Sequence, residues 1–308
     1  MGKKFIISVD LGGTNLRVAL LDLRYRIVLK HSFDTRRLLN KNRLIKIIIE
    51  AVNNILESQN LNKRNILGVG LGLPGSIDYE KGAVHSLTNI PGWKGVRLGS
   101  LLKKKLGIPV FMDNDANLMC LAEYRLGAAG GSRYAVCLTL GTGVGAGVIS
   151  GGRLYRGANN AAGEVGHIPL NESGRRCNCG GRGCLETYVG NSRILAEARR
   201  VFGRRISLEQ VSGLARRGNA KALGFWSGVG RHLGIALTGV VNLLNPDVIV
   251  IGGGVANAGK ALLDEVKKVI RSRAMTVQAR HVKVYKARLG SDAGLIGAAV
   301  MVRDGARG

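Results

Sequence analysis

Two stretches of this chain repeat one design, and that repetition constrains the fold more than any other feature. Residues 5–21 read FIISVDLGGTNLRVALL, an apolar strand, a Gly12-Gly13 turn and a second apolar strand. Residues 134–150 read YAVCLTLGTGVGAGVIS, the same arrangement around Gly141-Thr142-Gly143. Short β-branched runs on both sides of a glycine turn fold as antiparallel pairs. Their recurrence implies an internally duplicated architecture with a cleft between its halves.

The text between and after these units alternates strand and helix. A third strand is expected near residues 26–33, then an amphipathic helix over 42–58 with Leu44, Ile48, Val52 and Leu56 on one face. A strand over 66–73 closes at Pro74-Gly75, and helix 98–106, strand 109–112 and a helix from about 114 to 127 follow. After the second unit, Gly151-Gly152 turns the chain into a short strand at 153–155. Helices are expected at 191–201, 207–217 and 219–244, the last stopped by Asn245-Pro246. A buried strand at 247–251, a helix at 260–272, a strand at 282–285 and a closing helix at 293–302 complete an α/β fold. The expected lobes are 1–116, completed by the C-terminal segment 293–308, and 117–292, which carries a loop at 164–187.

Composition narrows the function classes. Hydrophobic residues make up 45% of the 308, enough to build a core and to exclude a disordered chain. The uncharged stretch 134–152 is too rich in glycine for a lipid-facing helix, and MGKKFIISVD reaches an acid too soon for a signal peptide. A cytoplasmic protein with no membrane contact is expected. The formal net charge is +26. The bases are scattered as short runs such as Arg36-Arg37, Lys103-Lys104-Lys105, Arg199-Arg200 and Arg216-Arg217, with no dense tract. Such a pattern fits a solvated cationic surface better than a specific nucleic-acid reader, and a polyanionic partner stays as the other reading.

The sharpest chemical signal is the cysteine spacing. Cys177, Cys179 and Cys184 lie in CNCGGRGC, and His167 stands ten residues upstream. Three thiolates and an imidazole make a closed tetrahedral zinc set, structural because no position is left for water. A disulfide is the alternative, disfavoured by the compartment and by the awkwardness of bridging cysteines two apart. Cys120 and Cys137 sit singly in apolar text and read as core.

Asp10-Leu11-Gly12-Gly13-Thr14-Asn15 places a carboxylate at a strand end, followed by glycines whose N–H groups can approach a phosphate. Alone, such a turn is only a hairpin. Paired with Gly141-Thr142-Gly143, it suggests a nucleotide gripped from both sides, with Asp10 acting on Mg²⁺ directly or through water. The third cluster, Gly252-Gly253-Gly254, serves either an adenosine pocket or merely the start of a helix. Between the turns lies DNDAN, residues 113–117. These side chains either cap the following helix or do more, and Asp115 is the candidate to take a proton from a substrate hydroxyl, with Asp113 or Asn114 capping or orienting.

Taken together, DLGGTNLR, GLGLPGSID, NIPGW, DNDAN, LGTGVGAG, GEVGHI and CNCGGRGCLE resemble, in this order, the ROK family of sugar kinases, open reading frames and repressors. The resemblance implies an actin-like (ribonuclease H-like) ATPase fold of two lobes with a central cleft and an inserted zinc loop. It implies transfer of phosphate from MgATP to a hexose, with Asp115 as general base. Asn89, Asn114, Glu164, His167 and Glu186 would surround the sugar, and an adenosine or ribose pocket at Gly253 and Gly254 stays the reading of the residues themselves. It makes His167, Cys177, Cys179 and Cys184 the Zn²⁺ ligands. Within the family the chain looks most like the glucokinases. N-acetylmannosamine, N-acetylglucosamine and fructose kinases share the scaffold. Homodimers or homotetramers and polyphosphate as an alternative donor are further expectations. A sugar-responsive repressor is the rival of another class. It is disfavoured because the first strand begins at Phe5, with no helix-turn-helix ahead of it.

Overall fold

The computed structural model describes residues 4–35, 40–87 and 92–306. The Arg36-Arg37 pair and Asn89 lie outside the described residues. The chain divides into two compact units, one comprising Met1–Arg125, Arg156–Ala162 and Ser291–Gly308, the other Leu126–Tyr155 and Gly163–Gly290.

In the first unit, β1 (Phe5–Leu11), β2 (Asn15–Asp22) and β3 (Ile27–Asp34) form an antiparallel meander. Helix α1 (Lys41–Ser58) starts where the Asn40 side chain accepts from Asn42 and Arg43 N–H, and it buries Leu44, Ile48, Val52 and Ile55. Strand β4 (Ile66–Leu73) pairs parallel with β1. A hairpin not anticipated from the sequence follows, β5 (Gly75–Asp78) and β6 (Ala83–Leu87). Helix α2 (Leu98–Leu106) stops at Gly107, whose φ of 68° suits a residue without a Cβ. Strand β7 (Val110–Asn114) then joins β4 in parallel and runs directly into α3 (Asp115–Leu126). The sheet order is β3-β2-β1-β4-β7.

The second unit is built alike. β8 (Ala135–Leu140), β9 (Val144–Ser150) and β10 (Arg153–Tyr155) form its meander. The short α4 (Glu186–Val189) leads to α5 (Asn191–Phe202), α6 (Leu208–Arg216) and the long α7 (Ala220–Leu244). Strand β11 (Val248–Gly252) is buried along its whole length, because parallel neighbours and helices cover it. Helices α8 (Lys260–Arg273) and α9 (Thr276–His281) precede β12 (Lys283–Lys286). The order β10-β9-β8-β11-β12 reproduces the first sheet, two antiparallel pairings followed by two parallel ones. The duplication visible in the glycine turns is therefore a duplication of topology. Among the described residues, no helix is long and apolar enough to cross a membrane.

The closing helix α10 (Ala293–Gly305) returns to the first unit and lies on β1 and β4. Its approach requires missing side chains. A Cβ on Gly70 would stand 2.5 Å from the Ala298 carbonyl oxygen, and one on Gly297 would collide with the carbonyl of Leu118 in α3. Gly297→Ala is expected to lower the unfolding free energy by roughly 2 kcal/mol, read from urea denaturation.

In the second unit, Asp247 closes the entry to β8. It accepts Arg133 and Tyr134 N–H at 3.0 Å, and His281 Nε2 lies 2.9 Å from its Oδ1. The His281 contact, aided by the two N–H groups, holds this carboxyl below its usual range. A depressed carboxyl contributes stability above the unfolded pKa of about 3.9 and loses it as pH falls through the folded value. Asp247→Asn should therefore flatten the decline of the urea midpoint on the acid side of about pH 4, leaving the wild type steeper there.

Candidate active site

The β7–α3 junction gathers the polar run DNDAN into one hydrogen-bonded knot. A helix start leaves N–H groups without intrahelical partners. Asn114 Oδ1 meets two of them, accepting from Ala116 at 2.8 Å and Asn117 at 3.3 Å, while its Nδ2 donates to Gly75 O at 3.0 Å. Asp113 is buried. Its Oδ1 accepts from Asn114 N at 2.7 Å and Asn117 Nδ2 at 2.8 Å, and its Oδ2 accepts from Arg156 Nε at 2.8 Å. Asn114 is thus the cap and Asp113 the brace. Asp115, first residue of α3, is half-buried, with Oδ1 2.9 Å from Ala116 N.

At the first glycine turn, Gly12 N–H donates to Asn15 O at 2.8 Å, which fixes the loop and leaves Gly13, Thr14 and Asn15 exposed. Asp10 stands behind it, buried and bound by Arg17, which also donates to Ser291 O. Asp10 and Arg17 face each other across the β1–β2 ladder. Burial raises the Asp10 carboxyl above its ordinary range, and Arg17 opposes that shift without cancelling it. Gly294 must be glycine here, since a Cβ would lie 2.7 Å from Asp10 Oδ2.

In the second unit the structure brings two glycine clusters together. Gly253 has φ of 83°, and a Cβ on it would strike the Leu140 carbonyl at the edge of the Gly141–Gly143 turn. The cluster is followed by a short 3-10 helix, Gly254–Ala258, and α8 begins only at Lys260. Glu186 ties this turn to α4, because its Oε2 accepts the Val144 N–H at 2.9 Å. A Cβ on Gly143 would sit 2.5 Å from that same oxygen, so the glycine is what lets the carboxylate in.

His167, Cys177, Cys179 and Cys184 place their ligand atoms all within 4.8 Å of one another. Zinc–sulfur bonds of about 2.3 Å at tetrahedral angles require S···S edges of about 3.8 Å. Cys179 Sγ and Cys184 Sγ are 3.7 Å apart, and Cys177 Sγ is 3.7 Å from His167 Nδ1. The donor set and its spacing therefore fit a zinc ion. Burial first, and then the neighbouring sulfurs of Cys179 and Cys177, push the Cys184 thiol up to about 12. With Nδ1 toward the sulfurs, His167 turns Nε2 toward Glu164, 3.8 Å from Oε2. Cys184 O also accepts from Thr187 N at 2.9 Å and from Thr187 Oγ1 at 2.8 Å, which joins the cluster to the start of α4 and so to Glu186. The outward-facing Glu164 is exposed, and Cys120 and Cys137 are core residues.

Two contacts in these sites were not anticipated. The Asp10–Arg17 pair was legible in principle, since a hairpin centred on Gly12-Gly13 sets those residues opposite each other. Arg156, 43 residues from Asp113, has no local signal.

The sequence model of the ROK family matches residues 6–305. The chain is 34% identical to the glucokinase of Halalkalibacterium halodurans, over 98% of this chain and 96% of that protein. A ROK family glucokinase from Streptomyces griseus, solved in complex with glucose and AMPPNP, matches with a TM-score of 0.82 at 31% identity, covering 97% of this chain and 99% of that one. The DNA-binding transcriptional repressor Mlc of Escherichia coli is 29% identical over 96% of this chain and 75% of the repressor. The chain belongs to the ROK family, and its twin sheets are the actin-like α/β fold of that family's kinases.

Cys184→Ser is expected to cut zinc content, measured by mass spectrometry of the purified protein against a colorimetric chelator. The four-donor reading expects close to one zinc per wild-type chain, and wild-type protein purified without zinc would contradict it.

Proposed function

We propose that the protein transfers the γ-phosphoryl group of ATP to a hexose hydroxyl, with D-glucose the favoured acceptor and glucose 6-phosphate the product. The observation that carries this reading is the β7–α3 junction, where a half-buried carboxylate, Asp115, opens a helix whose cap and brace are both fixed. That chemistry suits phosphoryl transfer, which passes through a loose transition state and depends on positioning more than on covalent work. Asp115 would accept the hydroxyl proton as the phosphoryl group arrives. Similarity to glucokinases over nearly their full length supports glucose over the N-acetylhexosamines and fructose.

The remaining roles follow from the same reading. Gly12, Gly13, Thr14 and Asn15 would face phosphate, as would Gly141, Thr142 and Gly143, with Gly253 and Gly254 beside the nucleoside. Mg²⁺ would neutralise the phosphates, and the Arg17 partner on Asp10 favours holding that ion through water over direct coordination. Asn114, Glu164, His167 and Glu186 would contact the sugar. Zinc, when bound, supplies a rigid cross-link that keeps His167 and the start of α4 in place. Polyphosphate as sole donor is a subsidiary reading, and its absence from the product-forming donors would dispose of it.

Asp115→Asn is expected to reduce kcat by about 10²–10⁴-fold while glucose binding by calorimetry stays near wild type. Near-normal kcat would assign the base elsewhere. The repressor reading draws on the similarity to Mlc and on the charge of +26. A gel shift with one defined DNA sequence that survives physiological salt would favour it, whereas binding that vanishes with salt and ignores sequence would not.

A further inference from the structure

Arg156 holds the β7–α3 junction from a part of the chain that no motif marks. It follows β10 directly and opens the segment Arg156–Ala162, which belongs to the first unit. That segment is closed at its base, with Ala162 N donating to Arg156 O at 3.0 Å. Gly157 makes the closure feasible. Its φ is 74°, and a Cβ there would stand 3.1 Å from Ala162 Cβ. The backbone that carries Arg156 is therefore set locally, before its side chain reaches a partner.

The side chain makes two contacts. Nε donates to Asp113 Oδ2 at 2.8 Å, and the guanidinium lies over the Tyr79 ring, 3.7 Å from its centroid. Tyr79 sits in the β5–β6 turn, which Asp78 shapes by accepting Lys81 N–H at 3.0 Å. The same hairpin begins at Gly75, whose carbonyl receives Asn114 Nδ2. A closed circuit results, from Tyr79 through Arg156 to Asp113, on to Asn114 and Asn117, and back to the hairpin at Gly75. Asp113 has 3% of its side-chain surface exposed, and a carboxylate so deep is costly without a cation. A planar guanidinium can stack on a ring and pair with a carboxylate at once, which an ammonium does less well.

We propose that Arg156 is a positioning residue for Asp115, acting through Asp113 and the Asn114 cap to fix the first turn of α3. The proposal rests on the reading of Asp115 as the base, so its test needs a readout that does not depend on turnover. The amides of Ala116 and Asn117 provide one. As first-turn N–H groups they have no intrahelical acceptor, and both donate to Asn114 Oδ1 of this circuit, Ala116 also to Asp115 Oδ1.

Hydrogen exchange at these two amides and steady-state kinetics with glucose and ATP are measured on wild type, Arg156→Ala, Arg156→Lys and Tyr79→Leu. For Arg156→Ala the expected result is exchange at Ala116 and Asn117 faster by about tenfold or more, with β4 amides unchanged. Its kcat should fall by roughly 100-fold, the cost of a misplaced catalytic group, with KM for ATP within about threefold. Arg156→Lys should recover part of both losses, because it restores a cation to Asp113 without the stack on Tyr79. If Arg156→Ala does not fold, Tyr79→Leu decides, with raised exchange at the same two amides and a kcat loss of about tenfold expected. Wild-type exchange at Ala116 and Asn117 in whichever variant decides, or an unchanged kcat in it, would overturn the proposal. A wild type inactive on every hexose would overturn the kinase reading alone, and the exchange data would still decide whether Arg156 orders the junction.

Discussion

Asp113 has almost no contact with water, and the arrangement of the first unit's site follows from satisfying both of its oxygens. One oxygen takes the Asn114 N–H and the Asn117 amide, and the other takes Arg156. With these bonds made, Asn114 has its Oδ1 in place for the first N–H groups of α3, and Asp115 is presented at the first position of a helix that cannot fray freely. The helix itself is pressed from behind by α10, at a point where Gly297 permits backbone contact with Leu118. A buried acid two residues before the candidate base is thus a structural element in the service of a chemical one.

The second unit reaches a similar end by different means. Its loop at 164–187 packs Val165, Leu185, Ile168 and Leu170 on the core and gathers three sulfurs and an imidazole beside them. The Cys/His cluster meets α4 at the Cys184 carbonyl, which accepts from Thr187, and α4 offers Glu186 to the Val144 N–H beside the second glycine turn. Glu186 was expected as a sugar contact, and the structure shows one of its oxygens engaged with the turn. A zinc ion bound there would brace two places, the imidazole facing Glu164 and, through α4, the glycine turn tied to Glu186.

Much of this was legible in the sequence because the relevant signals are local. Paired strand–glycine–strand units announced two meanders. The four-residue spacing of Leu44, Ile48, Val52 and Leu56 announced α1, and the cysteine spacing announced a ligand set. The β5–β6 hairpin escaped because its strands are short and its turn, YEKG, resembles any polar loop. Helix α9 escaped because it buries no residue and leaves no apolar period. The place of Asp10 before the glycines suggests action on Mg²⁺ directly or through water, and the register that puts Arg17 opposite it gives that carboxylate a partner the local pattern did not announce. Arg156 escaped entirely, as one arginine in a chain with 46 basic residues whose partner lies far along the sequence. Contacts that depend on tertiary approach carry no periodic trace.

The proposed role of Asp115 toward a sugar alcohol is tested most directly by a coupled assay of the purified wild-type protein with ATP and a panel of glucose, mannose, fructose and the N-acetylhexosamines. The proposed function predicts kcat/KM highest for glucose, with phosphate found on the sugar's 6-hydroxyl. Absence of ATP-dependent product from every sugar in the panel, from protein shown to be folded and zinc-loaded, would contradict it.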